Sequence, residues 1–497
     1  MTNKVSIRRL ATGVSGLDAL LGGGLPEFSF NLIAGSPGSG KTTLAHQMMF
    51  SMAQADRPAL YFTVLGEPPL KMLRYQQQFP FFQLEKINHS IHFINLADEI
   101  SHGDLSQVLA RIVREVEAHA PALVFVDSFR SIMLTAEGRP EGDAMLQHFV
   151  QQLGMHLTSW QATTFLVGEY QVSESEINPV FTVADGLIWL TQNLYDDSMI
   201  RKIEIKKMRG QATLPGLHTF RINNAGIEVF PRAIVSAGIA QQGEAGTQPD
   251  VPERMNIGVP RLDEMLGGGL PRGYSLLVAG PAGSGKTILA TQFLAEGVRC
   301  GEAGIIAAFE KSPSQSLNRQ LDRLVREGRV GVIDTRSLDL SIDETLYDLT
   351  RMIERMHAKR VVIDSLSGYE LALAPAFRVQ FRESLYRMVA VLTGMGMTVL
   401  MTSELEDRYT DLRFSPHGAA FLTDAIIVQR YIEIESRLER ITAVVKVRGS
   451  AHSNELHLFE ITDEGIVIGE PLHNYEGLLS GQPTRRATNS GPPPHRG

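Results

Sequence analysis

Two stretches of the chain share the pattern Gly-x-x-x-x-Gly-Lys-Thr. The first is Gly35, Ser36, Pro37, Gly38, Ser39, Gly40, Lys41 and Thr42; the second is Gly280, Pro281, Ala282, Gly283, Ser284, Gly285, Lys286 and Thr287. Glycines in such a loop let backbone N–H groups close around phosphate oxygens with no Cβ in the way. Each loop follows an apolar stretch (Phe28 to Ala34, Leu276 to Ala279) and precedes a helix-like run that begins at Thr43 or Ile288. Strand, glycine loop and helix together turn the pattern into a phosphate-binding expectation. The helix N-terminus, which includes Thr43 or Ile288, adds N–H donors and the positive end of its dipole. In that reading Lys41 and Lys286 reach the β/γ-phosphates of ATP, and Thr42 and Thr287 ligate Mg²⁺.

Further along each half an aspartate ends an apolar run: Ala122 to Asp127, and Val361 to Asp364. A carboxylate at such a strand end, downstream of a phosphate loop, sits where Mg²⁺ is held through its water shell. Hydrolysis also needs a group that takes a proton from the attacking water. Glu310, 24 residues after Lys286, ends the run Ile305 to Phe309 and fits that role. The same spacing in the first half falls on Leu65, which cannot accept a proton, and Glu67 is the nearest substitute. The first site is therefore expected to bind ATP and to hydrolyse it slowly unless Glu67 reaches in. A second device also recurs, as Lys207-Met208-Arg209-Gly210 and Lys446-Val447-Arg448-Gly449. Residues i and i+2 of a strand share a face, so each Lys/Arg pair presents two cations suited to a γ-phosphate, a neighbouring molecule's in particular. The 14 histidines make no His-x-x-x-His zinc pattern, and the single cysteine, Cys300, excludes an intramolecular disulfide framework.

These residues need a scaffold, and the chain supplies it twice. Ala11–Ala45 and Asn256–Ala290, at a constant offset of 245, share 20 identities in 35 positions. Chance does not produce such a match, and the long period means two whole domains. Short apolar strands alternate with helical patterns in both halves. In the first half these are strands at 59–64, 122–127, 163–167, 187–190 and 201–207, with helices at 70–78, 105–119 and 147–159. In the second half they are strands at 304–309, 361–364, 397–402, 426–428 and 442–447, with a helix at 343–358. That alternation predicts an α/β fold in two tandem domains, each a mostly parallel twisted sheet flanked by helices, and the glycine loops make each a P-loop NTPase candidate. The first spans 1–235, a Gly/Gln/Pro-rich linker 236–254, the second 255–475, and a tail 476–497 whose end has a disordered composition. Met48, Met49 and Met52 follow the first loop at helical spacing and are expected in the core. With 43% hydrophobic and 21% charged residues the composition is globular. The net charge of −8 weighs against a protein that coats nucleic acid, leaving room for a local basic channel. Neither a signal peptide nor an apolar run of membrane-spanning length is present, so a cytoplasmic protein is expected.

With both loops, both Asp-Ser strand ends and both Lys-x-Arg-Gly segments located, the chain resembles the KaiC family of two-domain RecA-like ATPases. The resemblance runs from Gly13 to about Arg485. Its most specific marks are Ser15-Gly16-Leu17-Asp18, Phe309-Glu310, Thr423-Asp424-Ala425-Ile426 and Val447-Arg448-Gly449-Ser450-Ala451-His452. It implies a homo-hexameric double ring with ATP at subunit interfaces, Lys207/Arg209 and Lys446/Arg448 serving the adjacent subunit's nucleotide, and a KaiB-like or other signalling partner. It also implies that Glu310 stands where the family's second domain has a Glu important for autokinase chemistry. The chain departs from the family at two points. The paired glutamates at that strand end are replaced by Glu310-Lys311 and by Leu65-Gly66, and the family's Ser-Thr phosphorylation pair falls on Ala420-Phe421, with Thr410 and Ser415 as the nearby hydroxyls. The reading is an ATP-hydrolysing switch. Its rivals are a Ser/Thr autokinase acting on those hydroxyls, a RecA/RadA-type DNA-dependent ATPase, and a scaffold in which ATP only holds the ring together.

Overall fold

The computed structural model describes residues 7–64, 69–101, 104–134, 142–171, 178–195, 198–232, 253–309, 319–334, 340–405, 422–473, 475–476 and 484–485. Leu65, Glu67, Glu310, Thr410, Ser415, Ala420 and Phe421 lie outside these residues, as do nearly all of the linker and most of the tail. The chain divides into two compact units, Met1–Arg232 and Ala233–Gly497.

In the first unit the described strands of the main sheet are β1 (Phe30–Gly35), β2 (Ala59–Thr63), β3 (Ile91–Asn95), β4 (Leu123–Asp127), β5 (Thr163–Glu169), β6 (Gly186–Tyr195), β7 (Ser198–Met208), β8 (His218–Asn223) and β9 (Gly226–Phe230). Their order across the sheet is β9-β8-β7-β6-β1-β5-β4-β2-β3. From β6 to β3 neighbours run parallel, and from β6 to β9 they run antiparallel. The second unit repeats this with β10 (Ser275–Gly280), β11 (Gly304–Ala308), β12 (Val330–Asp334), β13 (Arg360–Asp364), β14 (Thr398–Glu404), β15 (Ala425–Ile434), β16 (Arg437–Val447), β17 (His457–Thr462) and β18 (Gly465–Pro471). Its order is β18-β17-β16-β15-β10-β14-β13-β11-β12. The expected mostly parallel sheet flanked by helices is thus present twice, extended on one side by an antiparallel meander.

Alternation along the strands explains the layering. Leu32, Leu60, Phe62, Val124 and Leu166 pack on one face of the first sheet, under helices α2 (Leu105–His119) and α3 (Gly142–Ser159). Ile33, Tyr61, Phe125, Phe165 and Val167 pack on the other, where Leu44, Met48, Met49 and Met52 of α1 (Lys41–Met52) close the core. Helix α2 buries Leu105, Val108, Leu109, Ile112 and Val116, one stripe at helical spacing. Asp104 starts it by accepting from Ser106 N–H. In the second unit α4 (Lys286–Arg299) follows the phosphate loop, and α5 (Ile342–Met356) opens on a Ser341/Glu344 capping box.

Half of the identities in the internal repeat lie in a clasp ahead of the first parallel strand. Arg9–Leu10 pairs with Leu25–Pro26, and Arg254–Met255 with Leu270–Pro271. Asp18 accepts from Thr12 N–H at 3.0 Å, and Asp263 from Ile257 N–H at 2.7 Å, which is why an aspartate recurs there. Gly24 and Gly269 have φ of 119° and 100°, and a Cβ on either would lie 2.5–2.6 Å from a backbone carbonyl oxygen. The strand expected at 187–190 runs on to Tyr195, because pairing with β7 holds the half-exposed polar stretch Thr191–Gln192 beyond the core. The helix expected from Gln147 begins at Gly142. The edge strands β3 and β12, and the meander strands β8, β9, β17 and β18, were not expected from the sequence.

Candidate functional site

Parallel strands bring their C-terminal ends to one rim, and an α/β sheet binds ligands there. At that rim of the first unit stand Gly35, Thr63, Asp127 and Glu169. The phosphate loop turns through Gly38 (φ 71°) and Gly40 (φ 100°), the latter capping α1. The φ of 100° at Gly40 lies in the left-handed region, which favours glycine there. Gly40, the N-cap of α1, makes no side-chain cap hydrogen bond, and a helix N-terminus offers N–H donors to an anion.

Lys41 folds back over the loop and donates from Nζ to Ser36 O at 2.7 Å. Burial lowers its pKa, and the nearby carboxylates of Glu169 and Asp127 oppose that shift. Thr42 Oγ1 and Tyr61 OH both donate to Asp127 Oδ2, at 2.8 and 2.7 Å. Burial pushes the Asp127 carboxyl up, against these two hydrogen bonds. Gly38, Lys41, Thr42, Thr43, Asp127 and Glu169 line a cleft of about 430 Å³. One carboxylate and one hydroxyl 2.8 Å apart form an oxygen-only donor pair. That suits Mg²⁺, which keeps waters and takes its remaining ligands from phosphates. No cluster of three or more His, Cys, Asp or Glu that would hold a metal by protein ligands alone occurs among the described residues.

The second unit builds the same loop with different support. Gly283 and Gly285 have φ of 77° and 100°. Lys286 Nζ donates to Gly280 O and Pro281 O at 2.8 and 2.7 Å. Thr287 and Ile288 open α4. Asp364 accepts from the Thr402 hydroxyl, while Ile306 occupies the position that Tyr61 has in the first unit. In both units the peptide after the strand-end aspartate, Asp127–Ser128 and Asp364–Ser365, is cis. Glu310 and Glu67 lie outside the described residues; Phe309 directly precedes Glu310, and Val64 is the last described residue ahead of Glu67. Phe309 N–H donates to Asp364 O, and Val64 N–H to Asp127 O, each at 3.0 Å.

The Lys/Arg pairs lie at the other rim. β7 and β16 run antiparallel to their neighbours, so their C-terminal ends meet the N-terminal ends of the parallel strands: Met208 pairs with Gly186, and Val447 with Ala425. A six-residue strand separates the rims by about 20 Å. Each pair gathers around one aspartate. Arg209 Nη1 lies 3.1 Å from Asp185 Oδ1, and Lys207 Nζ donates to Thr182 O at 3.1 Å. Arg448 Nη1 lies 3.2 Å from Asp424 Oδ1, and Lys446 Nζ donates to Thr423 O at 2.6 Å. Burial lowers both lysine pKa values, with the adjacent arginine a second cause. The aspartates also fasten the first parallel strands: Asp185 accepts from Phe30 N–H at 3.1 Å, and Asp424 from Ser275 N–H at 3.0 Å. The arginines stand one residue past the strand ends rather than within them.

Sequence reasoning missed three groups here. Tyr61 was hidden in an apolar run, where it read as core. Glu169 and Glu404, which pair with the first loop glycines Gly35 and Gly280, recur at an offset of 235 rather than 245. Asp185 and Asp424 recur at an offset of 239; Asp424 stood out only within the Thr423–Ile426 mark, and neither its tie to Arg448 nor its counterpart Asp185 was read. A search that let the offset drift across loops would have found both pairs.

A family model described as "ATPase: KaiC" matches residues 10–234 and again residues 255–473. A circadian clock oscillator protein KaiC of Picosynechococcus sp. is 27% identical over 498 residues, covering 97% of this chain and 94% of that protein. The circadian clock oscillator protein KaiC of Prochlorococcus marinus is 26% identical, covering 97% of each. A circadian clock protein KaiC3 of Synechocystis sp. is 27% identical, covering 96% of this chain and 95% of that protein.

Proposed function

This chain belongs to the KaiC ATPase family, and from that premise we propose that it binds ATP with Mg²⁺ at two phosphate loops, hydrolyses it, and works as a homo-hexameric double-ring regulatory switch. Gly35–Thr43 with Asp127, and Gly280–Ile288 with Asp364, hold the nucleotides. When bound, Mg²⁺ neutralises phosphate charge between Thr42 and Asp127, and between Thr287 and Asp364. Lys41 and Lys286 neutralise the β/γ-phosphates. Lys207/Arg209 and Lys446/Arg448 act on the nucleotide of the adjacent subunit. Glu310 takes the proton of the attacking water in the second unit, which carries most of the turnover.

The observation that supports this best is the position of the Lys/Arg pairs. They stand at the rim opposite their own unit's phosphate loop, about a strand length away, which supports their acting on a nucleotide other than that unit's own, in this proposal the adjacent subunit's. Nucleotide shared in this way biases both partners of an interface, which is how occupancy can drive a switch. The clock names of the relatives, and a KaiB-like or other signalling partner, belong to the same proposal. No helix among the described residues is long and apolar enough to cross a membrane.

ATP consumption and native mass of the wild type, Lys41→Ala, Lys286→Ala and Glu310→Gln, with phosphate incorporation read from the same samples, test the proposal. A hexamer whose turnover falls mainly with Lys286→Ala and Glu310→Gln is expected. Turnover lost with Lys41→Ala and indifferent to Glu310→Gln would make the first unit the engine and overturn the assignment.

A further inference from the structure

We propose that Glu169 takes the proton of the attacking water in the first unit, an inference that rests on the ATPase reading above. The first unit has Leu65 where the second has Glu310, so its proton acceptor must come from elsewhere. Two carboxylates line the phosphate cleft among the described residues: Asp127, tied to Thr42 and Tyr61, and Glu169.

The position of Glu169 is built into the sheet. It ends β5 and pairs with Gly35, the first residue of the loop, and Tyr170 N–H then donates to Gly35 O at 3.2 Å. The pairing therefore runs past Glu169 on both sides and holds its backbone at the mouth of the loop. Gly168 precedes it, and a Cβ there would lie 2.5 Å from the Tyr170 ring, so glycine is needed for the chain to pass. Tyr170 is itself fixed, edge-on to Phe181 with centroids 5.1 Å apart. From this seat the Glu169 side chain enters the cleft, with Oε1 3.8 Å from Lys41 Nζ. It also lines a second cleft of about 580 Å³, together with Arg130, Tyr170 and Trp189. The second unit repeats the placement: Glu404 pairs with Gly280, and Leu405 N–H donates to Gly280 O at 3.1 Å.

An ammonium that neutralises the β/γ oxygens marks where the γ-phosphoryl group sits, and a carboxylate 3.8 Å from it lies within reach of a water attacking that group. In the step, the water oxygen forms a bond to the γ-phosphorus. The bond from that phosphorus to the β–γ bridging oxygen breaks and leaves its electron pair on ADP. The water proton passes to a Glu169 carboxylate oxygen and is then released to solvent, so that ATP and water give ADP and phosphate. Before nucleotide arrives, the same carboxylate competes with phosphate for Lys41. Its removal should therefore leave ATP binding as tight or tighter while turnover falls, a split that a merely structural residue would not produce.

The test uses the full chain with Lys286→Ala, so that the first unit alone turns over, and reads single-turnover hydrolysis beside binding of α-phosphate-labelled ATP. Glu169→Gln is expected to keep or tighten binding and to lose about 100-fold or more in rate, the scale of a general base. Glu169→Asp, which keeps the carboxylate, recovers part of the rate. Turnover of Glu169→Gln within about threefold of its parent, with the loss falling on Glu67→Gln instead, overturns the proposal. Binding and turnover that survive Lys41→Ala overturn the underlying phosphate-loop reading, and the role of Glu169 falls with it.

Discussion

Replacing Tyr61 by Phe isolates the support of Asp127, the carboxylate proposed to hold Mg²⁺ in the first unit. The phenol is fully buried and its OH donates to Asp127 Oδ2 at 2.7 Å, beside Thr42 Oγ1 at 2.8 Å. Phe keeps the ring, which packs against His46, Phe93 and Phe125 with centroids 4.7, 5.3 and 5.9 Å away. What disappears is one donor to a carboxylate that burial already disfavours as an anion. A hydrogen bond to a charged group is worth about 1.5–3 kcal/mol, and about 1.4 kcal/mol is tenfold in an equilibrium constant. The Mg²⁺ concentration that half-saturates the first site should therefore rise by roughly 10- to 100-fold, as for other residues that orient metal ligands. The second unit should be indifferent, because Ile306 stands at that position and Thr402 holds Asp364. The assay is a Mg²⁺ titration of a fluorescent ATP analogue on the Lys286→Ala chain, with and without Tyr61→Phe. A shift below about threefold in a protein that melts as its parent does would refute the assigned role of Tyr61 and the link from Asp127 to the metal.

The Arg209–Asp185 and Arg448–Asp424 pairs are largely exposed on the arginine side. Arg209→Ala with Arg448→Ala should thus cost under about 1 kcal/mol in stability, yet lower turnover by about 10³-fold or more if the guanidinium groups act on a neighbour's phosphate; melts and turnover measured together decide it. His46, buried on α1, has its pKa lowered by burial to about 3 from 6.5. The folded state then binds fewer protons than the unfolded between those values, so this stability is complete above about pH 6.5 and is lost as pH falls toward 3. At pH 5 the loss is about 2 kcal/mol, and His46→Phe should remove it. Both tryptophans, Trp160 and Trp189, lie in the first unit, so their fluorescence in urea at pH 7 and pH 5 reads this directly.

Much of the fold was legible because its signals are local. A glycine loop between an apolar run and a helix, or a short apolar run ending in Asp127 or Asp364, carries its meaning within a dozen residues. What stayed hidden depends on register. Tyr61 meets Asp127 only because Thr63 of β2 pairs with that aspartate. Glu169 reaches the loop only because β5 lies beside β1. The Lys/Arg pairs were visible as cations on a strand, but the rim they occupy follows from β7 and β16 running antiparallel, which no window of sequence contains. The edge strands β3 and β12 are short and half-buried in places, too weakly patterned to separate from loops.

The central claim is that a phosphate loop of one chain and a Lys/Arg pair of another make each working site, and mixing two inactive proteins tests it most directly. One carries Lys41→Ala with Lys286→Ala, the other Arg209→Ala with Arg448→Ala. Co-assembled at equal amounts, about a quarter of the interfaces recover an intact loop facing an intact pair, so turnover should rise to roughly that fraction of the wild type. A mixture no more active than its two parents, although native mass shows that they share rings, would contradict the account.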